Sequence, residues 1–318
     1  MLSRCFCLLI LSDCSSIHRL FTKTYTVEQI VNLNQMCMIF GNSQMSRILT
    51  SNFELSDPIH IENYNLDTVN DVIKYKNKLF VVYNGGLATL QVKNHHLILH
   101  NLDNGIINPN SIICNHNRCV VVNYFGNMAI NSYQGDYQHW QHLTDHNISL
   151  GVNKVIYYKN KYFVVTDNGD LYYSHIAQIL WTKIPLNIGK IALNNIKVID
   201  DSLYIVGNKG LLLSSSDGFH WQQYNKKMFN GYDLTDIAFG NNKFVITGNS
   251  GKIFISDNSK QFSAVNHKVT VNNLIQVEFF NNHFIVAGYG GVILISDNYQ
   301  KWRLLFLGED YKVQLLCS

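Results

Sequence analysis

The chain has 318 residues, a formal net charge of +3 at pH 7, 47% hydrophobic residues and only 15% charged residues. Its lysines are scattered singly along the sequence, which argues against binding to nucleic acid or to an acidic membrane surface. Its longest apolar run is far shorter than the ~20 residues that cross a bilayer, so no membrane span is predicted.

The first 21 residues admit two interpretations. One arginine precedes an apolar run in MLSRCFCLLILSDC, a pattern typical of a secretory signal. However, LILSDCSSIHRLF at 9–21 aligns with LISDNYQKWRLLF at 294–306 when shifted back by one residue, with Ser12 on Ser296 and Asp13 on Asp297. This alignment predicts the third and fourth strands of a repeated unit. We favour a partial repeat at 1–21 and, slightly, a cytoplasmic location. Export is the alternative if residues 1–16 act as a signal.

A turn position, usually occupied by glycine, recurs at nearly constant intervals through the rest of the chain, seven residues after the residue that opens an apolar run. The intervals are 40, 40, 43, 41, 41 and 40 residues, and the first copy has lost its glycine. The anchors are Ser46, Gly86, Gly126, Gly169, Gly210, Gly251 and Gly291. This period predicts seven repeats of about 41 residues over 22–306.

Each repeat contains strands rather than helices. The fullest copy, LTDIAFGNNKFVITGNSGKIFISDNSKQFSAV at 234–265, has four short apolar stretches separated by Gly, Asn and Asp turn residues. Four antiparallel strands in about 40 residues are the unit of a β-propeller blade. The sequence therefore predicts an all-β fold: one β-propeller domain over 1–318 with seven complete four-stranded blades.

The chain ends raise a question about ring closure. The tail at 307–318 has the pattern of a first strand, since Gln314 lies 38 residues after Gln276. Together with 1–21 it would make an eighth blade that lacks one strand. We expect seven blades to close alone with the ends packed outside the ring. The alternative is eight positions, with one incomplete blade closed by the two termini.

The turn between the third and fourth strands carries a repeated polar motif that ends in an aromatic residue. Its main members are Ser215, Asp217, Gly218 and Trp221, then Ser256 and Asp257, then Ser296, Asp297 and Trp302. A polar side chain in such a turn bonds nearby backbone amides, while the aromatic ring fills the gap between blades. Since packing is repeated and chemistry needs one copy, we predict structural roles, with Trp181, Trp221 and Trp302 buried.

The pattern FVxxGxxGxIxxSxDGxxW resembles the Asp-box (BNR-like) repeat β-propellers, most closely those similar to the photosystem II stability/assembly factor. The resemblance covers nearly the whole chain, although only the copy at 210–221 has Ser, Asp, Gly and Trp together. It implies a propeller that binds a protein partner, or a scaffold for glycan chemistry as in sialidase-like and xyloglucanase-like relatives.

No catalytic or metal-binding constellation is recognisable. A sialidase-like site needs three arginines around a carboxylate, and the chain has only five arginines in all. A xyloglucanase-like pair of carboxylates stays open. His139, His142 and His146 lie close in sequence but lack cysteine or carboxylate support, so we expect no metal and no cofactor.

The seven cysteines include no C-x-x-C pair. Cys114 and Cys119 flank a tight turn and would face each other across a hairpin. We interpret them as two small buried thiols rather than as a disulfide, because no oxidising compartment is indicated.

Candidate binding residues come from the innermost strands and from the rim. A polar residue whose type varies among the copies lies eight residues before the start of each second strand. We interpret these residues as the solvent-lined mouth of the central channel. These residues are Gln29, Asp71, Ser111, Lys154, Asn195, Asp236 and Gln276. Long loops at 56–67, 143–153 and 225–234 lie on the same rim. They carry Tyr64, Phe229 and Tyr232 as candidate exposed anchors for a partner.

The sequence thus predicts a monomeric, non-enzymatic propeller scaffold that binds a protein or peptide partner through its rim loops and channel mouth. The alternative is a carbohydrate-active propeller, either a glycoside hydrolase or a lectin-like protein. That alternative requires two carboxylates roughly 5–10 Å apart in a groove with stacking aromatic rings.

Overall fold

A computed structural model gives the architecture. It describes residues 37–40, 45–50, 52–55, 59–62, 68–76, 78–93, 96–102, 105–115, 118–131, 137–143, 148–175, 180–296, 298–307 and 314–317. The described residues form antiparallel blades arranged as a seven-bladed propeller, with two 3₁₀ turns at Asn208–Gly210 and Lys226–Phe229. The predicted seven-bladed all-β propeller is confirmed, and the eight-position alternative is wrong.

The strands follow the repeats in chain order. Blades 1 to 3 contain β1 (Cys37–Phe40), β2 (Met45–Leu49), β3 (Ile59–Glu62); β4 (Val69–Tyr75), β5 (Lys78–Tyr83), β6 (Gly86–Lys93), β7 (His96–Leu102); and β8 (Pro109–Asn115), β9 (Arg118–Asn123), β10 (Met128–Asn131), β11 (Gln141–Leu143). Blades 4 and 5 contain β12 (Val152–Tyr158), β13 (Lys161–Thr166), β14 (Leu171–His175), β15 (Thr182–Ile184); and β16 (Leu193–Ile199), β17 (Ser202–Gly207), β18 (Leu211–Ser215), β19 (Gln222–Gln223). Blades 6 and 7 contain β20 (Leu234–Gly240), β21 (Lys243–Gly248), β22 (Ile253–Ser256), β23 (Ser263–Ala264); and β24 (Leu274–Phe280), β25 (His283–Gly288), β26 (Val292–Ser296), β27 (Trp302–Leu307). The last strand is β28 (Gln314–Cys317).

The C-terminal strand closes the ring. β28 pairs antiparallel with β1, so that Phe40 lies opposite Gln314 and Cys37 lies opposite Cys317. β28 therefore takes the innermost position of blade 1. Without it, the edge of β1 would carry unpaired backbone groups. The expectation that the chain ends pack outside the ring is wrong for the C-terminus. The predicted partial blade at 1–21 and the segment 22–36 lie outside the described residues.

Two disulfides cross adjacent strands. Cys37 and Cys317 join β1 to β28, and Cys114 and Cys119 join β8 to β9. The interpretation of Cys114 and Cys119 as separate thiols is wrong, because the hairpin places them directly opposite each other.

The second strand of each blade is deeply buried. In blades 2 to 7 its first residue is partly exposed and its other five residues are buried. Both faces of these strands are apolar because neighbouring blades cover both sides. Val245 and Ile255 of blade 6, for example, pack in one cluster with Val286 and Leu294 of blade 7. The core thus lies between blades and holds the loops on a rigid frame.

Candidate functional site

A repeated β-bulge shapes the wall of the central channel. Each innermost strand from blade 2 to blade 7 shifts its register by one residue near its start. A bulge changes the direction of a side chain and thereby lets it reach a neighbouring element. The residues at the shift are Asn70, Asn110, Asn153, Asn194, Thr235 and Ile275.

The bulged asparagines join each blade to the next. Each Asn Nδ2 donates to the carbonyl of the first residue in the following innermost strand, as Asn194 does to Leu234 at 2.7 Å. Thr235 Oγ1 makes the same link to Leu274 at 2.7 Å. Gln276 Nε2 makes the link to Leu315 of β28 at 2.9 Å. These links between blades were not predicted, although asparagine occupies this one repeat position in four consecutive copies.

The predicted channel residues accept hydrogen bonds from the edge amides of the innermost strands. Asp71 accepts from Val72 and Ile112, both at 3.1 Å. Around the ring, Ser111 accepts from the amide of Val155, and Asn195 accepts from that of Ile196. Asp236 accepts from the amides of Ile237 and Val277, and Gln276 accepts from that of Leu315. An innermost strand has no partner strand on its channel side, so these side chains satisfy amides that would otherwise be unpaired.

Asp236 is the centre of the tightest cluster. Its side chain is fully buried and accepts four hydrogen bonds, from Asn195 Nδ2 and Lys197 Nζ at 2.8 Å and from the amides of Ile237 and Val277 at 2.9 Å. Lys197 Nζ also lies 3.2 Å from Glu278. Burial acts to lower the pKa of Lys197, but the carboxylates of Asp236 and Glu278 outweigh it and raise that pKa above its ordinary value.

Asp71 has the corresponding role on the other side of the channel. Its carboxylate accepts four hydrogen bonds, from the two amides already described, from Ser111 Oγ at 2.8 Å and from Lys154 Nζ at 2.7 Å. Asp71, Lys154, Asn195, Asp236 and Gln276 all line one cavity of about 460 Å³. The structure therefore brings these five residues together around one cavity.

The expected solvent exposure is wrong for three of the channel residues. Asp71 is 8% exposed, and Ser111 and Asp236 are fully buried. The bulge explains this burial, because it directs their side chains along the channel wall toward the next blade. Gln29 lies outside the described residues, and β28 occupies the innermost position of its blade.

The predicted rim anchors differ from one another. Phe229 is fully buried against Phe254 and Phe262, with ring centroids 5.1 and 5.4 Å away, so its prediction as an exposed anchor is wrong. The 3₁₀ turn at Lys226–Phe229, capped by the side chain of Asn225, folds the ring inward. Tyr232 is half-buried beside Phe254. Tyr64 lies outside the described residues.

Exposed apolar side chains gather instead on the rim of blades 2 to 4. Ile107, Tyr124, Phe125 and Leu150 are 77%, 43%, 58% and 59% exposed. We call these four residues the rim patch. They belong to the connection before β8, the turn after β9 and the connection before β12, which lie on the cavity-mouth side because neighbouring strands run in opposite directions. Leu150 falls in the predicted functional loop at 143–153.

Hydrogen bonds tie the three loops of the rim patch together. Asn123 Nδ2 donates to the carbonyl of Ile107 at 3.0 Å, and the amide of Gly151 donates to the carbonyl of Tyr124 at 2.7 Å. The rings of Tyr124 and Phe125 lie 5.9 Å apart in an edge-to-face arrangement. The three loops that carry the rim patch are therefore held to one another.

The repeated polar turn bonds its own backbone. Ser215 Oγ accepts from the amides of Asp217 and Gly218 at 3.3 and 2.8 Å, and Asp217 accepts from the amides of Phe219 and His220, both at 2.8 Å. Gly218 has φ +84°, and a Cβ there would lie 2.4 Å from the ring of Phe163, so glycine is required.

In the next copy the bonding residue is not Asp257. Asn258 accepts from the amides of Lys260 and Gln261, whereas Asp257 is exposed and pairs with Lys243. In the last copy Ser296 Oγ accepts from the amide of Phe284 at 2.8 Å, and Asp297 lies outside the described residues. The polar position of the motif is thus two residues after the serine.

The aromatic residues of the motif are buried to different degrees. Trp181 and Trp302 are each only 6% exposed. Trp221 is only partly buried, against the apolar cluster of blades 4 and 5. The indole Nε1 of Trp221 donates to the carbonyl of Gly218 at 2.9 Å, which holds the ring against its own turn near the surface.

We expect the Asp217→Asn substitution to lower the pKa of His220 toward the ordinary value for histidine. His220 Nδ1 lies 2.6 Å from Asp217 Oδ2, and this hydrogen bond raises the pKa of the imidazole and lowers that of the carboxyl. The histidine contribution to stability is present below the unfolded-state pKa and is lost as pH rises through the raised folded-state value. An NMR titration of His220 measures the change, and a pKa that does not move would contradict the pairing.

The described ranges contain neither a metal-binding cluster nor a membrane-spanning helix. No group of three or more His, Cys, Asp and Glu side chains in this part of the chain is arranged to hold a metal ion. No helix within the same ranges has the length and apolar character needed to cross a membrane.

The fold is similar to that of known β-propellers. A family model for the DUF6242 beta propeller domain matches residues 134–231. A search of curated protein sequences gives no match. The structure of YCF48 bound to D1 peptide aligns with a TM-score of 0.66 at 15% identity, over 83% of this chain and 90% of that one. This chain is a β-propeller similar to YCF48.

Two other solved structures agree with that placement. YCF48 from Cyanidioschyzon merolae aligns with a TM-score of 0.60 at 15% identity, over 82% of this chain and 95% of that one. The computationally designed protein Ika8 also gives 0.60, at 13% identity, over 88% of this chain and 85% of that one. At these identities the likeness concerns the fold, and membership of the Asp-box group stays a prediction.

Proposed function

We propose that this protein is a non-enzymatic β-propeller scaffold that binds a protein or peptide partner through the face that carries the cavity mouth and the rim patch. The rim patch carries the proposal, because four exposed apolar side chains on loops of a rigid frame are typical of a protein-interaction surface. The likeness to YCF48 adds support, since one structure of that propeller contains a bound D1 peptide.

The cavity gives less support to the carbohydrate-active alternative. Acid–base or nucleophilic catalysis by a carboxylate requires a carboxyl group that is free to reach the substrate. Asp71 and Asp236 each accept four hydrogen bonds from the channel wall. Their function in the proposal is to hold the blades together beneath the binding face.

Site-specific photocrosslinking tests this proposal. A benzophenone amino acid replaces Phe125 on the binding face or, as the control, Val198, which is 45% exposed near the opposite end of β16. After irradiation in the native cells, we expect discrete adducts with another protein from position 125 and none of the same adducts from position 198. The same adducts from both positions, or none from position 125, would argue against partner binding at this face.

A further inference from the structure

A groove lies beside the rim patch on blade 3. It has a volume of about 470 Å³, and its walls include Ile106, Ile107, Phe125, Met128 and Leu143. Ile107 and Phe125 belong both to the groove and to the rim patch, so the two features are continuous. The volume lies within the range of roughly 300–1,000 Å³ that is usual for ligand-binding pockets.

One buried side chain fixes the two walls of the groove. Asn123 is 2% exposed, and its Nδ2 donates to the carbonyl of Ile107 at 3.0 Å. Its Oδ1 accepts from the amide of Asn127 at 2.9 Å, on the other side of the Phe125 turn. Because both walls are held before a ligand arrives, binding loses less conformational entropy than it would with mobile loops.

The chemistry of the groove differs from that of the cavity. The described residues that line the groove include no Asp, Glu, Lys or Arg, and His142 is the titratable side chain among them. The cavity wall, by contrast, carries Asp71, Lys154, Lys197, Asp236 and Glu278. Against this described lining, a charged side chain would lose hydration and find no Asp, Glu, Lys or Arg as a counter-charge, whereas an apolar side chain would be stabilised by burial.

We infer that the groove and the rim patch together receive an extended, uncharged segment of a partner protein, which places large apolar side chains on both sides of Phe125. One side chain lies in the groove beside Ile107 and Met128. Another contacts Tyr124 and Leu150 across the Phe125 ring. This inference rests on the proposed function and adds the location of the contact and the chemistry of the segment.

Peptide selection on the purified full-length protein tests the inference. A phage-displayed library of random peptides is selected on the wild type, and the enriched peptides are synthesised and titrated by fluorescence anisotropy. The titrations use the wild type, an Ile107→Ser/Phe125→Ser double variant and the control Val271→Ser. Val271 is a suitable control because it is 82% exposed in the equivalent connection of another blade.

We expect the enriched peptides to share large apolar residues without charge between them. The double variant should raise the Kd of these peptides by roughly tenfold or more, as loss of an aromatic anchor does. The Kd for Val271→Ser should stay near that of the wild type. Melting curves of both variants should match the wild type, since these exposed side chains contribute little stability.

Each other outcome has a distinct meaning. Peptides that bind the double variant as tightly as the wild type, or that depend on acidic or basic residues, overturn the inference and leave the proposed function in place. Self-association of the wild type that the double variant abolishes also overturns it, since a second copy of this chain would then be the occupant. If the wild type enriches no peptide, this inference fails, while the photocrosslinking result still decides the proposed function.

Discussion

Replacing Cys37 and Cys317 together with alanine should lower the free energy of unfolding by roughly 3–5 kcal/mol. The disulfide joins residues 280 apart in sequence, and a cross-link over a long loop restricts the unfolded chain strongly. It also holds β28 in the innermost position of blade 1. Urea denaturation of the oxidised wild type and of the double variant measures the difference.

The second disulfide provides the matched control. Cys114 and Cys119 are only five residues apart, so the cross-link constrains a short loop and their replacement by alanine should cost about 2 kcal/mol or less. Adding a reductant to the wild type should lower its free energy of unfolding at least as much as replacing Cys37 and Cys317 does. Faster hydrogen exchange at Leu315 and Leu316 would locate that loss at the closing strand. An unchanged unfolding midpoint under reducing conditions would contradict the assignment.

The blade count was predictable because it depends on a local pattern. Every copy has an apolar run bounded by turn residues, and a strand such as β21 is buried on both faces wherever it lies in the ring. Ring closure depends instead on a pairing between β1 and β28, at opposite ends of the described chain. A repeat period gives the units, but it does not reveal which distant strand completes the first one.

The side-chain directions on the innermost strands were harder to predict. A bulge shifts the register by one residue at Asn70 and at its equivalents, and alternation along a strand cannot reveal such a shift. Five of the seven predicted channel residues therefore line one cavity, but Asp71, Ser111 and Asp236 are buried and do not face solvent as expected. The exposure of Phe229 was mispredicted for a related reason, since a single 3₁₀ turn reverses the direction of a side chain within a loop.

The Asp236→Ala substitution is expected to destabilise the protein by roughly 3–5 kcal/mol. It removes a fully buried carboxylate, leaving the amides of Ile237 and Val277 without their acceptor and Lys197 with Glu278 as its remaining carboxylate partner in the cluster. Burial raises the pKa of Asp236, and the Lys197 ammonium opposes that rise, so each charge depends on the other. Chemical denaturation measures the loss of stability.

Asp257→Ala is the control for this prediction, because its side chain is 71% exposed and its ion pair with Lys243 should contribute less than about 1 kcal/mol. Asp71→Ala should resemble Asp236→Ala, since Asp71 also accepts four hydrogen bonds, from donors in three blades. The physical reason is the same in both cases: the carboxylate satisfies edge amides that no strand can reach. If Asp236→Ala unfolds at the same denaturant concentration as Asp257→Ala, the channel carboxylates are not structural. They would then become the first candidates for direct contact with a ligand.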